Sequence, residues 1–267
     1  MYLKTLLLGL FCIISIRFFA QSTASQQITK FNIEVPQWQA ERTIWVYLPK
    51  NYENSEKAYP VTYMHDAQNL FDAQTSYVGE WKIDEYLDSI SEPESIIIGI
   101  EHGHEKRLEE LTPFSNEKYG GGKGEVYIDF MINILKPHID SIYRTKTDAK
   151  HTTIFGSSLG GLLSFYATVK YHETFGNAGV FSPSFWYSDA IYEFVKTIKV
   201  PENSKFYFLM GTEESETGVA EQQKMVDLLL EKGVKSNQIV NRIVEGGKHN
   251  EAFWSSEFPE AYQWLMN

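Results

Sequence analysis

Apolar residues along this chain follow two patterns: short runs that read as strands, and longer stretches in which they recur every three or four positions. Residues 27–35 and 42–48 alternate polar and apolar side chains and are rich in β-branched residues. Punctuated by Pro36 and Pro49, they read as an antiparallel pair. Residues 59–64 form a short buried strand, and 95–100 an almost continuous apolar run of the kind covered on both faces. Helical spacing runs over 80–90 through Trp81, Tyr86, Leu87 and Ile90. It recurs over 124–138 through Val126, Ile128, Phe130, Met131, Ile134 and Leu135. From residue 152 onward strand and helix alternate: strands at 177–181, 205–210 and 238–244, helices at 162–170, 188–198, 217–232 and 251–266. No linker, repeat or low-complexity tract breaks this order. It predicts one α/β domain over 21–267, with a mostly parallel central sheet, N-terminal antiparallel strands and helices on both faces. Ligands in such sheets collect at the carboxyl ends of the strands.

The first twenty residues depart from the pattern. Lys4 precedes the apolar run 6–14, and Ala20 ends the segment before the polar Gln21, Ser22 and Thr23. The run is shorter than a membrane-spanning helix needs. It reads as a secretory signal peptide over 1–20, cleaved near Ala20, which predicts export without stable membrane insertion. Leu10 and Phe11 before Cys12 lack the small residues of a lipoprotein cleavage site. Cys12 is the chain's single cysteine, so the exported form has no disulfide and no cysteine nucleophile. Its stability then rests on a core drawn from 43% hydrophobic residues. The formal charge of −11 becomes −13 once Lys4 and Arg17 leave with the leader. Such a surface repels phosphate backbones, which excludes nucleic acid as a partner.

The most informative stretch is Gly156-Ser157-Ser158-Leu159-Gly160, placed between a β-branched strand and a helix. This is a G-x-S-x-G elbow in its proper setting: the turn lifts the Ser158 hydroxyl clear of the backbone, and the flanking glycines avoid collision with neighbouring elements. The Leu159 amide then points where an oxyanion would form. A serine nucleophile needs a base, and the base needs an acid to orient it; in this fold class the chain order is Ser, acid, His. Gly246-Gly247-Lys248-His249-Asn250 follows a strand and supplies His249 as the base. Gly211-Thr212-Glu213-Glu214 follows another and supplies the acid, with Glu213 and Glu214 both open on the residues alone. A second oxyanion amide is expected from the loop His65-Asp66-Ala67-Gln68-Asn69, at Ala67 or Gln68. His65 itself precedes the serine and reads as a packing residue.

Other motifs carry less. His102, His104 and Glu105 lack a fourth ligand, so no metal is expected. The glycine run 120–124 misses the P-loop pattern, since Glu117 and Gly124 occupy the positions that need Gly and Ser/Thr; it reads as a mobile loop near the site mouth. No cofactor is expected. Trp186 and Tyr187 follow a strand one unit past the elbow and are candidates for an aromatic substrate wall, with core packing as the alternative.

Taken together, residues 63–72, the elbow 156–161, Phe181-Ser182-Pro183-Ser184-Phe185-Trp186, Gly211–Glu214 and Gly247–Asn250 resemble the putative esterase family. That family includes feruloyl and acetylxylan esterases, siderophore esterases, S-formylglutathione hydrolases and mycolyltransferases. The resemblance spans residues 28–265. It implies an α/β-hydrolase fold and a Ser-acid-His triad, mapped to Ser158, Glu214 and His249, with oxyanion amides at Gln68 and Leu159. Glutamate stands where some branches carry aspartate, and Ala67 where relatives carry glycine. The reading implied is an exported serine ester hydrolase acting on acylated carbohydrate, feruloyl or acetyl. Siderophore ester hydrolysis is the runner-up within that class. A non-catalytic glycan-binding protein is the alternative outside it, and acyl transfer would use the same triad.

Overall fold

The computed structural model describes residues 22–267; the expected leader and Cys12 lie outside them. The alternating N-terminal segments form β1 (Ile28–Val35) and β2 (Ala40–Tyr47), paired antiparallel from Ile28–Tyr47 to Val35–Ala40. Then follow β3 (Val61–His65), α1 (Ile83–Ser89), β4 (Ile96–Ile100) and a short α2 (Arg107–Glu110). A two-residue ladder joins β5 (Ser115–Asn116) to β6 (Gly120–Gly121). Next come α3 (Gly124–Phe130), a π-helical turn Met131–Leu135 and α4 (Lys136–Ile142). The remainder alternates strictly: β7 (Thr152–Ser157), α5 (Leu159–Lys170), β8 (Asn177–Phe181), α6 (Ala190–Thr197), β9 (Lys205–Gly211), α7 (Gly218–Glu231), β10 (Ile239–Val244) and α8 (Glu251–Met266).

Eight strands make one sheet in the order β1-β2-β4-β3-β7-β8-β9-β10, parallel from β4 to β10. Successive residues of β4 go to opposite faces: Ile96, Ile98 and Ile100 pack with α3, α5, α6 and α7, whereas Ile97 packs with α1 and α8. This makes three layers, the α/β-hydrolase arrangement expected from the sequence. Strand order reverses at β3, with β4 on one side and β7 on the other. The crevice above such a reversal lies between the loops that leave β3 and β7, and those loops hold Gln68 and Ser158. No helix among the described residues is long and apolar enough to cross a membrane.

Two expectations change. Helical structure continues past 138 to Ile142, through the π turn. Pro137 sits at the start of α4, and its missing N–H leaves the preceding turn to adopt longer-range bonding. The glycine run is a packed hairpin rather than a mobile loop. Gly120, Gly121 and Gly122 have φ of +80°, +76° and +92°, and a Cβ on Gly122 would lie 2.7 Å from the Ser115 amide nitrogen.

Gly161 is as constrained at the elbow, since a Cβ there would lie 2.6 Å from the Phe181 carbonyl oxygen. Gly161→Ala is expected to cost about 1–3 kcal/mol of stability, read as a lower midpoint in urea unfolding with an unchanged slope.

Candidate active site

The elbow follows from the close approach of β7, α5 and β3. A Cβ on Gly156 would lie 2.7 Å from the Gly160 carbonyl carbon and 2.9 Å from the His65 ring. Ser158 is left-handed, with φ 57° and ψ −120°. Its amide donates to Phe181 O at 2.9 Å, and its carbonyl accepts from Leu162 N at 3.0 Å and Ser184 N at 3.1 Å. These three bonds hold a conformation that costs on the order of 1–3 kcal/mol by itself. Among the described residues the hydroxyl's hydrogen-bond partner is Ser184 Oγ, at 3.3 Å, and not His249. Ser158 and His249 line the same pocket.

The loops that carry Glu214 and His249 are joined by a backbone contact that only glycine permits. A Cβ on Gly211 would lie 2.2 Å from Gly247 O. The two loops meet there, with Glu213 N donating to Gly247 O at 3.0 Å and Thr212 N to Val244 O at 3.0 Å. This brings Glu214 Oε2 to 2.8 Å from His249 Nδ1. The other carboxylate oxygen, Oε1, accepts from Ser182 Oγ and Gly211 N, both at 2.7 Å. The Glu214 side chain is 3% exposed, while Glu213 is 58% exposed and faces Lys248 at 3.5 Å. Of the two adjacent glutamates, Glu214 is therefore the one paired with the imidazole. Trp254 packs edge-on to His249 at 4.9 Å, and its indole N–H donates to Ser182 Oγ at 2.7 Å. Ser182 thus bridges Glu214 and the indole that packs on His249.

On the β3 side, Asp66 rather than Ala67 takes the left-handed backbone, φ 58°, so alanine in the glycine's place is unstrained. Ala67–Asn69 make a single 3-10 turn. The amides of Gln68 and Leu159 have no hydrogen-bond partner among the described residues. Asp66 binds Arg107 through two bonds of 2.7 Å. Burial pushes the Asp66 carboxyl up, but the Arg107 charge and hydrogen bonds outweigh it and hold the group below its usual range. His65 lies beneath the elbow with Nδ1 3.4 Å from the Tyr127 hydroxyl, consistent with a packing role.

A pocket of about 280 Å³ opens at Ser158 and His249. Leu70, Tyr77, Val78, Trp81 and Trp254 supply its apolar lining, and Asp66, His102, Arg107 and Glu251 its charged or polar one. Burial holds His102 below the usual histidine range and lifts Glu251 above the usual carboxylate range. His102 Nδ1 accepts from His104 N at 2.9 Å. Trp186 and Tyr187 do not line this pocket. Tyr187 is 1% exposed, with its hydroxyl on Gly120 O, so the wall expected there fails for it: the ring fills the space under the glycine hairpin. Trp186 is exposed and packs on Tyr119. A larger hollow of about 920 Å³ lies at the amino ends of β7 to β9, around His151, Asn177 and Lys205, and receives no residue from the loops that carry Ser158, Glu214 or His249.

Sequence reading missed Asn69, Ser182 and Trp254 as positioning groups and Tyr77 as a lining one. Asn69 and Ser182 stand inside motif stretches that pointed to the site. Nothing in the local sequence marks Tyr77.

Burial lowers the His65 pKa to about 4, Asp66 opposing and Arg107 reinforcing the shift. The native state then binds fewer protons than the unfolded chain between about pH 4 and pH 6.5. The His65 contribution to stability is full above that window and lost as pH falls through it. An NMR titration should give a His65 midpoint near 4, and His65→Gln should lose less stability than wild type between about pH 7 and 5.

The model of the family described as "Putative esterase" matches residues 36–265. The chain is similar to "Uncharacterized protein YbbA" of Bacillus subtilis (strain 168), 29% identical over an alignment of 241 residues that covers 84% of this chain and 92% of that protein. It is also similar to "Endo-1,4-beta-xylanase/feruloyl esterase" of Xylanibacter ruminicola, 25% identical over 239 residues, 86% of this chain but 29% of that longer protein. Among solved structures, BES protein from Bacillus cereus superposes with a TM-score of 0.72 at 18% identity, covering 92% of this chain and 97% of that one. The enterobactin esterase FES from Shigella flexneri superposes at 0.67 and 17% identity, covering 92% and 60%. With a matching model over nearly all the described residues, the chain belongs to the putative esterase family and is a carboxylic ester hydrolase.

Proposed function

We propose that the chain is an exported serine esterase with a Ser158-Glu214-His249 triad, acting on feruloyl or acetyl esters of carbohydrate. The observation that carries this reading is the Glu214–His249 bond of 2.8 Å beside a left-handed serine on the same pocket. Ser158 Oγ attacks the ester carbonyl while His249 Nε2 takes its proton, after the hydroxyl turns from Ser184 towards the imidazole. The Glu214 carboxylate accepts a hydrogen bond from Nδ1–H and stabilises the imidazolium. Amides of Gln68 and Leu159 hold the oxyanion. The alcohol leaves with the proton from His249, giving an acyl-enzyme. Water, deprotonated by the same imidazole, then attacks the acyl-enzyme and releases the carboxylic acid and Ser158.

Carbohydrate esters are favoured by similarity to the xylanase/feruloyl esterase and by the leader-like segment 1–20. The pocket volume of about 280 Å³ suits one acyl arm rather than a three-armed chelate. Among the described residues that line the pocket Arg107 is the one lysine or arginine, and it is bonded to Asp66, which disfavours an anionic siderophore. A purely binding role would leave the bond between buried Glu214 and His249 without a purpose.

Ser158→Ala should lower hydrolysis of p-nitrophenyl acetate at least about 10³-fold; equal activity in wild type and variant sinks the reading. Glu214→Gln should lower kcat by about 10²–10⁴-fold, and Glu213→Gln by less than about twofold. The reverse order would reassign the acid.

A further inference from the structure

The rim of the Ser158 pocket carries an aromatic ring that the fold itself does not use. Tyr77 is 90% exposed and Val78 60%, yet both line the pocket with Trp81 and Trp254. Among the described residues the Tyr77 ring packs on no other aromatic ring. Its backbone is nevertheless fastened. Tyr77 N donates to Asn69 Oδ1 at 3.3 Å, and Asn69 O accepts from Trp81 N at 2.8 Å. Thr75 Oγ1 donates to Gln68 O at 2.8 Å. Asp72 caps the turn, taking Gln74 N on its side chain at 2.9 Å and Thr75 N on its carbonyl at 3.1 Å. Asn69 also donates to Glu251 Oε1 at 3.3 Å, which ties the rim to the start of α8, just after His249. A large ring left in solvent on an anchored backbone forgoes the burial that would otherwise stabilise it, so its natural contact is a ligand in the pocket.

The backbone of Tyr77 hangs from Asn69, the neighbour of Gln68, whose amide is the proposed oxyanion donor. The leaving alcohol departs on the side of His249, whose side chain is 42% exposed. The charges within the pocket do not call for an ionised acyl group, since Asp66 and Arg107 satisfy each other and Glu251 is a buried carboxyl.

We propose that Tyr77, with Val78 beside it, is the specificity-determining rim of the acyl site, its ring covering a neutral, planar aromatic acyl group. This rests on Ser158 being the nucleophile. Two esters with one leaving group isolate the acyl side: p-nitrophenyl ferulate and p-nitrophenyl acetate. In Tyr77→Ala the ratio of kcat/KM for ferulate over acetate should fall about tenfold, and Tyr77→Phe, which keeps the ring, should restore it. A second readout separates this contact from catalysis: in a Ser158→Ala background, adding Tyr77→Ala should raise the Kd for methyl ferulate by a similar factor, followed by tryptophan fluorescence. An unchanged ratio and Kd in Tyr77→Ala overturns the proposal, as does a fall in the ratio caused by Trp186→Ala but not by Tyr77→Ala. Undiminished hydrolysis by Ser158→Ala would instead overturn the nucleophile, while the Kd comparison still reads the Tyr77 contact.

Discussion

The left-handed turn at Ser158 is the constraint on which the carboxyl edge of the sheet depends. It is unfavourable in isolation and exists because its amide and carbonyl are bonded to β8 and the loop after it. Glycines at 156, 160 and 161 let β3, β7, β8 and α5 close around it. The strained residue is therefore held by β8, the loop after it and α5 at once, and no local segment could adopt it alone. This also explains the neutral His65: the space under the elbow is fully enclosed, and an imidazole fits there only without its charge.

The electrostatics of the site divide into two arrangements of opposite purpose. Asp66 and Arg107 form a closed bidentate pair, which fixes the loop after β3 and offers no net charge to a ligand. Glu214 is bound by two donors on one oxygen and keeps the other for His249. In the proposed triad, a carboxylate oriented in that way favours the proton on Nδ1 and leaves Nε2 as the acceptor.

Most of the architecture was legible because it rests on periodicity. The continuous run at 95–100 becomes β4 buried on both faces, and the alternation after 152 becomes parallel strands and covering helices. The glycine-flanked serine and the glycine-flanked histidine were legible for a related reason: close backbone approach leaves a mark in composition. The choice between Glu213 and Glu214 was not legible from the residues, because it depends on which side chain turns inward where Gly211 meets Gly247. The mismatch at Tyr187 has a similar source. An aromatic pair after a strand looks the same whether it faces a ligand or the underside of a hairpin, and the positive-φ glycines 120–122 create that underside. Tyr77 has no signature at all, since its exposure is set by where Asn69 holds the chain.

The junction of Gly211 with Gly247 has a mechanical corollary. The loops that carry Glu214 and His249 are laced main chain to main chain, which couples Glu214 to His249 as one unit. The serine belongs to a different body, seated between β7 and α5. Slack in the proposed triad therefore gathers at one joint, between the Ser158 hydroxyl and the imidazole, and in that proposal substrate entering the crevice is the wedge that takes it up.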